Sequence, residues 1–388
     1  MKFLFFLVAL SLLLCWQKIG FGYPAYIGTG YSSCLTCHFN PMGNGPINTY
    51  GRAVQATEMS GNLFGQKLEQ LAEGSGFLFG IGSLPEWLQL QGSYRGLYVG
   101  RSLQATPSTR YLVMQAEGSI AMTFGKKFRA SASVGYVPLP PSLSESQAKQ
   151  LGNTISREHY IGFLPEKGVG IYVGLMDTAF GLRVPDHNAF IRSVQLLNIN
   201  DQTHGILFHR DWAKGEFAIH GFMGKLFQES NARQKGGSIF SEFEVLENFR
   251  AGASLLYTFS DFRKRQMFAG HGRLQMGKGS SLLAEIGIFN QELSSFDMSS
   301  KTQNTGIFSF LQSRHLFVKG FYGLMTFENY IETFSQGGSR VYRAGPSLEY
   351  LPFPKIEIRV DFLGTQVMGL TSITPSSYTA QVQSHVWL

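Results

Sequence analysis

The chain has 388 residues, 44% of them hydrophobic and only 15% charged, with 45 glycines, 33 phenylalanines and a formal net charge of +7. That length admits one large fold or two domains. So little charge beside so many aromatics and glycines argues against an ordinary soluble α/β enzyme and suits strands whose aromatics face lipid. The basic residues are scattered along the chain, which excludes a basic nucleic-acid-binding patch.

Residues 1–22 have the form of a signal peptide. Met1-Lys2 is a short positive start, and Phe3 to Leu14 is an apolar run broken by Ser11. The run is shorter than a membrane-spanning helix needs. Gly20 and Gly22 are small residues spaced for cleavage, making Tyr23 the expected first mature residue. Cys15 leaves a lipoprotein alternative, opposed by the bulky Leu14 before it.

Residues 23–84 hold the most specific motif, Cys34-Leu35-Thr36-Cys37-His38. Two thiols flanking two residues, with a histidine immediately after, form the attachment signal for a c-type haem: Cys34 and Cys37 would make thioether bonds and His38 would reach the iron. A redox dithiol and a zinc site are the alternatives. No βαβ pattern follows, as a dithiol enzyme would have, and no second cysteine pair completes a tetrahedral zinc site. Export also delivers the cysteines to the compartment in which such haems are attached. The sixth iron ligand is open: Met59 lies far enough along to loop back, while Met42, His159, His187, His220 or no residue at all are the other readings.

The surrounding residues are rich in glycine, asparagine, proline and tyrosine, with turn chemistry at Asn40-Pro41 and Gly43-Asn44-Gly45-Pro46. Such a segment builds no core of its own; it needs the haem or the rest of the protein to fold on, and a plug is one such arrangement. Phe64, Leu68 and Leu71 have roughly helical spacing. They imply either a short helix against the haem or across a mouth of the larger domain, or a linker with one amphipathic turn.

Residues 85–388 have a dominant period of two. Lys355, Glu357, Arg359 and Asp361 alternate with Ile356, Ile358, Val360 and Phe362. Gln89, Gln91, Ser93 and Arg95 alternate with Leu88, Leu90, two glycines and Tyr94. From Phe249 to Phe259 the odd positions are all apolar. Sixteen such segments can be counted (with fourteen to eighteen as the range): 86–99, 111–124, 128–138, 155–165, 169–180, 203–213, 215–226, 236–246, 249–260, 265–277, 280–291, 304–312, 315–328, 339–350, 355–367 and 377–388. Each is about long enough to cross a bilayer on a tilt. The connections alternate as well: short ones such as Gly125-Lys126-Lys127 and Gly277-Lys278-Gly279, then longer ones such as 139–154 and 181–202. The expected fold is all-β, a transmembrane antiparallel barrel with short periplasmic turns, long outer loops and both barrel ends in the periplasm. Closure is required, because an open edge in lipid would leave backbone groups unpaired.

A sixteen-stranded interior is wide enough for water unless something fills it. One filler is the N-terminal segment. Another is 181–202, with Arg183, Asp186, His187 and Arg192; it is either an inward-folded loop or, by default, an ordinary external loop. Of the remaining histidines His204, His209 and His271 fall in lumen or loop positions, and His220 shares a face with Glu216 and Ala218 that points it into the lumen. Nucleotide-binding, zinc-protease and nucleophile-elbow motifs are absent.

The stretch Gly30 to Arg52, with its C-x-x-C-H, then N-P-x-G-x-G and Y-G-R, resembles the N-terminus of exported bacterial proteins that join a monohaem cytochrome c motif to an outer-membrane β-barrel, and Gly181 to His187 is also similar to a stretch of such proteins. The final strand, ending in Leu388, resembles the C-terminal signal of outer-membrane proteins. The resemblance implies an outer-membrane location and one covalent haem c on Cys34 and Cys37, with His38 as proximal ligand. Porin–cytochrome conduits are a related idea but use several haems. The expectation is electron transfer at or across the outer membrane with a periplasmic donor or acceptor, such as a multihaem cytochrome; the alternative is a channel whose haem segment is a structural plug or sensor, and a weaker one is a haem enzyme with an open iron site. Outer-membrane lipid is an expected partner, nucleic acid is not, and a homo-oligomer is left open.

Overall fold

The computed structural model describes residues 26–31, 33–82, 84–102, 108–136, 154–184, 189–295, 299–334, 338–368 and 377–388. The expected signal peptide, Cys15 and Tyr23 lie outside them, as do Asp186 and His187. The strands, in order, are β1 Leu88–Ser102, β2 Ser108–Phe124, β3 Phe128–Tyr136, β4 Thr154–Ile155, β5 His159–Phe163, β6 Val169–Met176, β7 Thr203–Trp212, β8 Gly215–Phe222 and β9 Lys235–Leu246. They continue as β10 Phe249–Phe259, β11 Arg263–Gln275, β12 Ser281–Ser294, β13 Lys301–Val318, β14 Phe321–Ile331, β15 Arg340–Phe353, β16 Ile356–Met368 and β17 Ser377–Trp387. All pairings are antiparallel, and β17 pairs with β1 from Ser93↔Trp387 to Ser102↔Tyr378, which closes the sheet. β4 and β5 both pair with β3, end to end, so the segments fill sixteen positions of a closed barrel. Closure leaves no edge strand among the described residues, as a bilayer demands.

The two-residue period of the sequence becomes an inside-out burial pattern. Arg359 and Asp361 are buried in the lumen and bonded at 2.7 Å, while Ile358 and Phe362 on either side of the pair are exposed. On β10, Arg250 and Ser254 are buried while Leu255, Tyr257 and Phe259 are exposed. Next to the short turns the outer face carries exposed Trp87, Phe124, Phe128, Phe163, Trp212 and Phe243. Rings at that level form an interfacial girdle of the kind that marks where hydrocarbon gives way to headgroups.

Three boundaries differ from the periodicity. The expected break between 304–312 and 315–328 is not there: β13 continues to Val318, and the chain turns at Lys319 and Gly320. Gln312 and Arg314, polar enough to suggest a turn, face the lumen instead, where Gln312 donates to Thr326 (3.0 Å) and Arg314 to Glu349 (2.6 Å). Gly320, at φ +85°, supplies the left-handed residue of the true turn. The segment 155–165 is interrupted because Arg157 and Glu158 are both buried, Arg157 pairing with Glu117 at 2.8 Å. The segment 169–180 ends as a strand at Met176, because the chain then turns inward.

Two inserts occupy the lumen. One is the N-terminal segment with the short helix α1 (Thr49–Val54), followed by a linker that carries α2 (Leu68–Gly74). The connection 177–202, which includes α3 (Phe190–Gln195), is folded inward, correcting the default reading of an external loop. It leaves the β6–β7 side and reaches the opposite wall: Gly181 donates to Ser254 of β10 (3.0 Å), Leu182 and Gln195 to Glu285 of β12 (2.5 and 2.6 Å), and Ile191 to Glu328 of β14 (3.0 Å). Phe180, Leu182, Ile191 and Leu197 then form an apolar cluster with wall residues such as Phe289 and Phe310. Burying apolar area this way offsets the entropy of ordering a long loop.

Candidate functional site

Cys34–Thr36 is a single 3₁₀ turn, with Cys37 and His38 both donating backbone N–H to the Cys34 carbonyl (3.1 and 2.8 Å). That turn gathers the two thiols and the imidazole into one corner. Asn48 ties the corner to α1: its side chain donates to the Thr36 carbonyl (3.0 Å) and accepts from Gly51 N–H (2.8 Å) as the helix N-cap. Gly51 is where α1 presses on the motif, since a Cβ there would lie 2.6 Å from the Cys37 carbonyl oxygen and from Ile47. The Gly51→Val protein should therefore expose residues 34–52 to added protease while the barrel stays intact; a segment as resistant as wild type would contradict this packing.

The asparagine–proline–glycine stretch fastens the corner to the barrel wall. Asn40 donates to buried Glu158 (2.9 Å) and accepts from Met42 N–H (2.8 Å), a local turn that uses both ends of its amide. Gly45 has φ +69°, and a Cβ there would meet the Glu158 carboxylate. Arg129 of β3 donates to the Phe39 carbonyl (2.7 Å), and Arg52 donates to Gln89 of β1 (2.5 Å). Gly28 accepts from Gly279 N–H in a short turn (2.6 Å), and Gly61 N–H donates to the Leu351 carbonyl (2.7 Å). The described residues of 26–61 are thus seated in the short-turn half of the lumen.

Cys34, Cys37 and His38 are all buried, and both cysteines are free thiols. Burial pushes the Cys34 thiol up to about 11 and the Cys37 thiol up to about 12. Neither has the depressed value of a thiol-exchange nucleophile. Burial also holds the His38 imidazole down to about 4, so it is neutral, and its ring bonds to the backbone of Gly45 and Asn44.

His38, Met42 and Met59 line one lumen cavity. Met59 also packs in the apolar cluster that contains Cys34, with Tyr322 and Trp387. The Met42 sulfur instead accepts from Arg183. His220 faces the lumen, as its strand position implies, but does not line this cavity. His159 is turned to the outer side of β5, where its Nε2 lies 3.1 Å from that of His204, and His187 is outside the described residues.

Arg183, from the inward loop, is where loop, plug and wall meet. Its guanidinium lies 3.5 Å from the Cys34 sulfur and 3.3 Å from Glu216, and covers the Phe240 ring at 5.1 Å. Arg183 and Arg192 were singled out in the sequence, and Glu216 was read onto a lumen face; the pairing of Arg183 with Glu216 was not. Glu216, Glu242, Glu285 and Glu328 are buried carboxylates on the lumen face. Their signal in sequence is an acidic residue at an inward strand position, which marks a binding point for some cation or N–H without saying which.

No family model matches the chain, and no curated protein matches it in sequence. Solved structures do match in fold. The outer membrane channel DcaP of Acinetobacter baumannii is 10% identical with a TM-score of 0.59, over 78% of this chain and 97% of that one. The fold is that of the outer-membrane porins. OmpT of Vibrio cholerae, expressed in the outer membrane, is 10% identical with a TM-score of 0.57 over 78% and 97%. An anion-selective porin from Comamonas acidovorans is 8% identical with a TM-score of 0.53 over 78% and 99%. At such identities the likeness is one of porin-type architecture: a closed sixteen-position barrel with a lumen.

Proposed function

We propose that this protein is an outer-membrane channel of porin type whose lumen is narrowed by an N-terminal plug bearing one covalent haem c. The observation that carries the reading is the seating of residues 26–61 inside the barrel, where Arg183 of the inward loop meets Cys34. The apolar outer face and its aromatic girdle support an outer-membrane location, and the porin-type neighbours support a channel. Cys34 and Cys37 would hold the haem, His38 would be its proximal ligand, and Met59, buried beside Cys34, would be the sixth. When bound, the haem supplies a one-electron redox centre and an apolar body for a glycine-rich segment to fold on. The chain's own residues hold the plug: Asn40, Arg52 and Gly61 tie it to the wall, and Arg183 ties it to the loop.

The test is single-channel conductance in planar bilayers. Replacing both Cys34 and Cys37 with alanine should loosen the plug and raise the mean current, with the barrel still exported. Unchanged conductance would contradict a haem-dependent plug.

A second reading is electron transfer, favoured by the shared cavity of His38 and Met59, which would let the chain fill both axial positions. One haem cannot span a lipid-facing band of about 25 Å, so this reading needs a partner: a periplasmic donor or acceptor such as a multihaem cytochrome. A purified, haem-loaded protein that exchanges electrons with no periplasmic donor would exclude it.

A further inference from the structure

The chain between plug and barrel does not take the shortest path from lumen to β1. At Gly61 it passes the turn at Gly320 and the end of β15 at Leu351 and Pro352. There Phe64 stacks on Phe353 with ring centroids 4.9 Å apart. Phe353 pairs in register with Ile356, a residue of the outward row. Further on, Phe77 and Leu78 lie against a groove on the outer face of β1–β3, formed where Gly92 of β1 faces Gly118 of β2 between Leu90, Ile120 and Val134. Both ends of the linker therefore reach the lipid-facing side of the wall, at the short-turn end, while α2 between them packs against residues 49–59 of the plug.

Its composition matches that position. Leu63, Phe64, Leu68, Leu78, Phe79 and Ile81 are all exposed, Phe64 at 75% and Ile81 at 89%. The side chains are not merely left over from a packed face, because Leu71 of the same helix is buried while Leu68 points out. Leu78 and Phe79 both hold left-handed backbone, at φ 49° and 60°. Two successive residues with Cβ atoms adopt this only when surrounding contacts impose it. Lys355 of the neighbouring turn supplies one such contact, donating to the Gly76 carbonyl and lying 5.2 Å from the Phe79 ring.

We infer that residues 63–81 are an interfacial anchor whose apolar side chains insert into the leaflet at the short-turn end of the barrel. The occupant of this surface is the bilayer's own phospholipid. Continuity decides it: Phe64 and Phe77 touch outer-face wall residues, so the patch extends the band that the barrel already presents to lipid. The anchor would hold the plug's exit point at the rim, so that the plug enters the lumen from a fixed position. The inference rests on the reading of the barrel as a membrane barrel.

Site-directed spin labelling of the full chain in phospholipid vesicles tests it. Single cysteines would be placed at Ile81 (Ile81→Cys), at Leu255 in the outer face of β10 (Leu255→Cys) and at exposed Glu69 (Glu69→Cys); Cys34 and Cys37 are buried and escape the label. The expected result is that the labels at 81 and 255 collide more with oxygen than with a water-soluble nickel chelate, and the label at 69 does the reverse. A label at 81 that favours the chelate, with 255 still favouring oxygen, overturns the anchor and leaves the barrel reading standing. A label at 81 shielded from both reagents also overturns it, pointing to a protein partner on this patch. A label at 255 that favours the chelate removes the membrane barrel, and the anchor with it.

Discussion

A chain lacking residues 26–61 but retaining residues 1–25 and the linker will conduct several-fold more current per channel than the full-length protein. The deleted residues occupy the short-turn half of the lumen and are held there by side-chain and backbone bonds, among them Asn40 to Glu158, Arg52 to Gln89 and Gly28 to Gly279. None of these belongs to the ladder that closes the barrel, where β1 pairs with β2 and β17 along its whole outer half. The barrel should therefore assemble without the plug and leave a wider aqueous path, limited by the connection 177–202. Planar-bilayer recordings of both proteins measure this. Equal currents would mean that the inward loop alone, anchored on Glu285 and Glu328, sets the resistance.

Replacing Glu242 with alanine will have the largest effect on stability of any single change in the lumen wall. Glu242 is buried on β9 and serves three cationic or polar neighbours: Arg273 (Nε at 2.9 Å), His271 (3.3 Å) and Arg250 (3.8 Å). Removing the carboxylate leaves two buried guanidinium groups without that counter-charge. Breaking a buried pair from one side typically costs about 3–5 kcal/mol. The expected result is a clear drop in the urea midpoint of the barrel in detergent micelles, with a smaller drop for Glu242→Gln, which keeps hydrogen-bond acceptance. A Glu242→Ala midpoint equal to wild type would show that water reaches the arginines and that the lumen is wetter there than its burial implies.

The barrel was legible because a bilayer leaves so little choice. Each strand must show lipid an apolar row and the lumen a polar one, so that Lys355 to Phe362 alternates without exception and the pattern survives even at 10% identity to other porin-type barrels. Where a strand's lumen face is locally very polar, the same rule misleads. Gln312, Ser313 and Arg314 look like a turn until Thr326 and Glu349 are found opposite. The motif at Cys34 to His38 was equally plain, since its spacing is local. What its neighbours do was not. Asn40 meets Glu158 across 118 residues of chain and Arg183 meets Cys34 across 149, and no local pattern encodes such pairings. The inward course of 177–202 had a signal that the polar cluster masked: Phe180, Leu182, Ile191 and Leu197 are apolar residues that an external loop would leave in water. The helix suggested by Phe64, Leu68 and Leu71 exists as α2, which begins only at Leu68 and packs against residues 49–59 of the plug, with Leu71 buried and Leu68 exposed.

The central claim is that the plug in this porin-type lumen carries a single covalent haem. The most direct measurement is an ultraviolet–visible redox titration, with carbon monoxide added, of protein purified from outer membranes of a host that matures c-type cytochromes. The account predicts one haem per chain that resists acid–acetone extraction and is absent from the Cys34→Ala, Cys37→Ala protein; with His38 and Met59 both ligating, it stays low-spin, ignores carbon monoxide and titrates as one centre. A purified barrel with two free thiols and no covalent haem would contradict it.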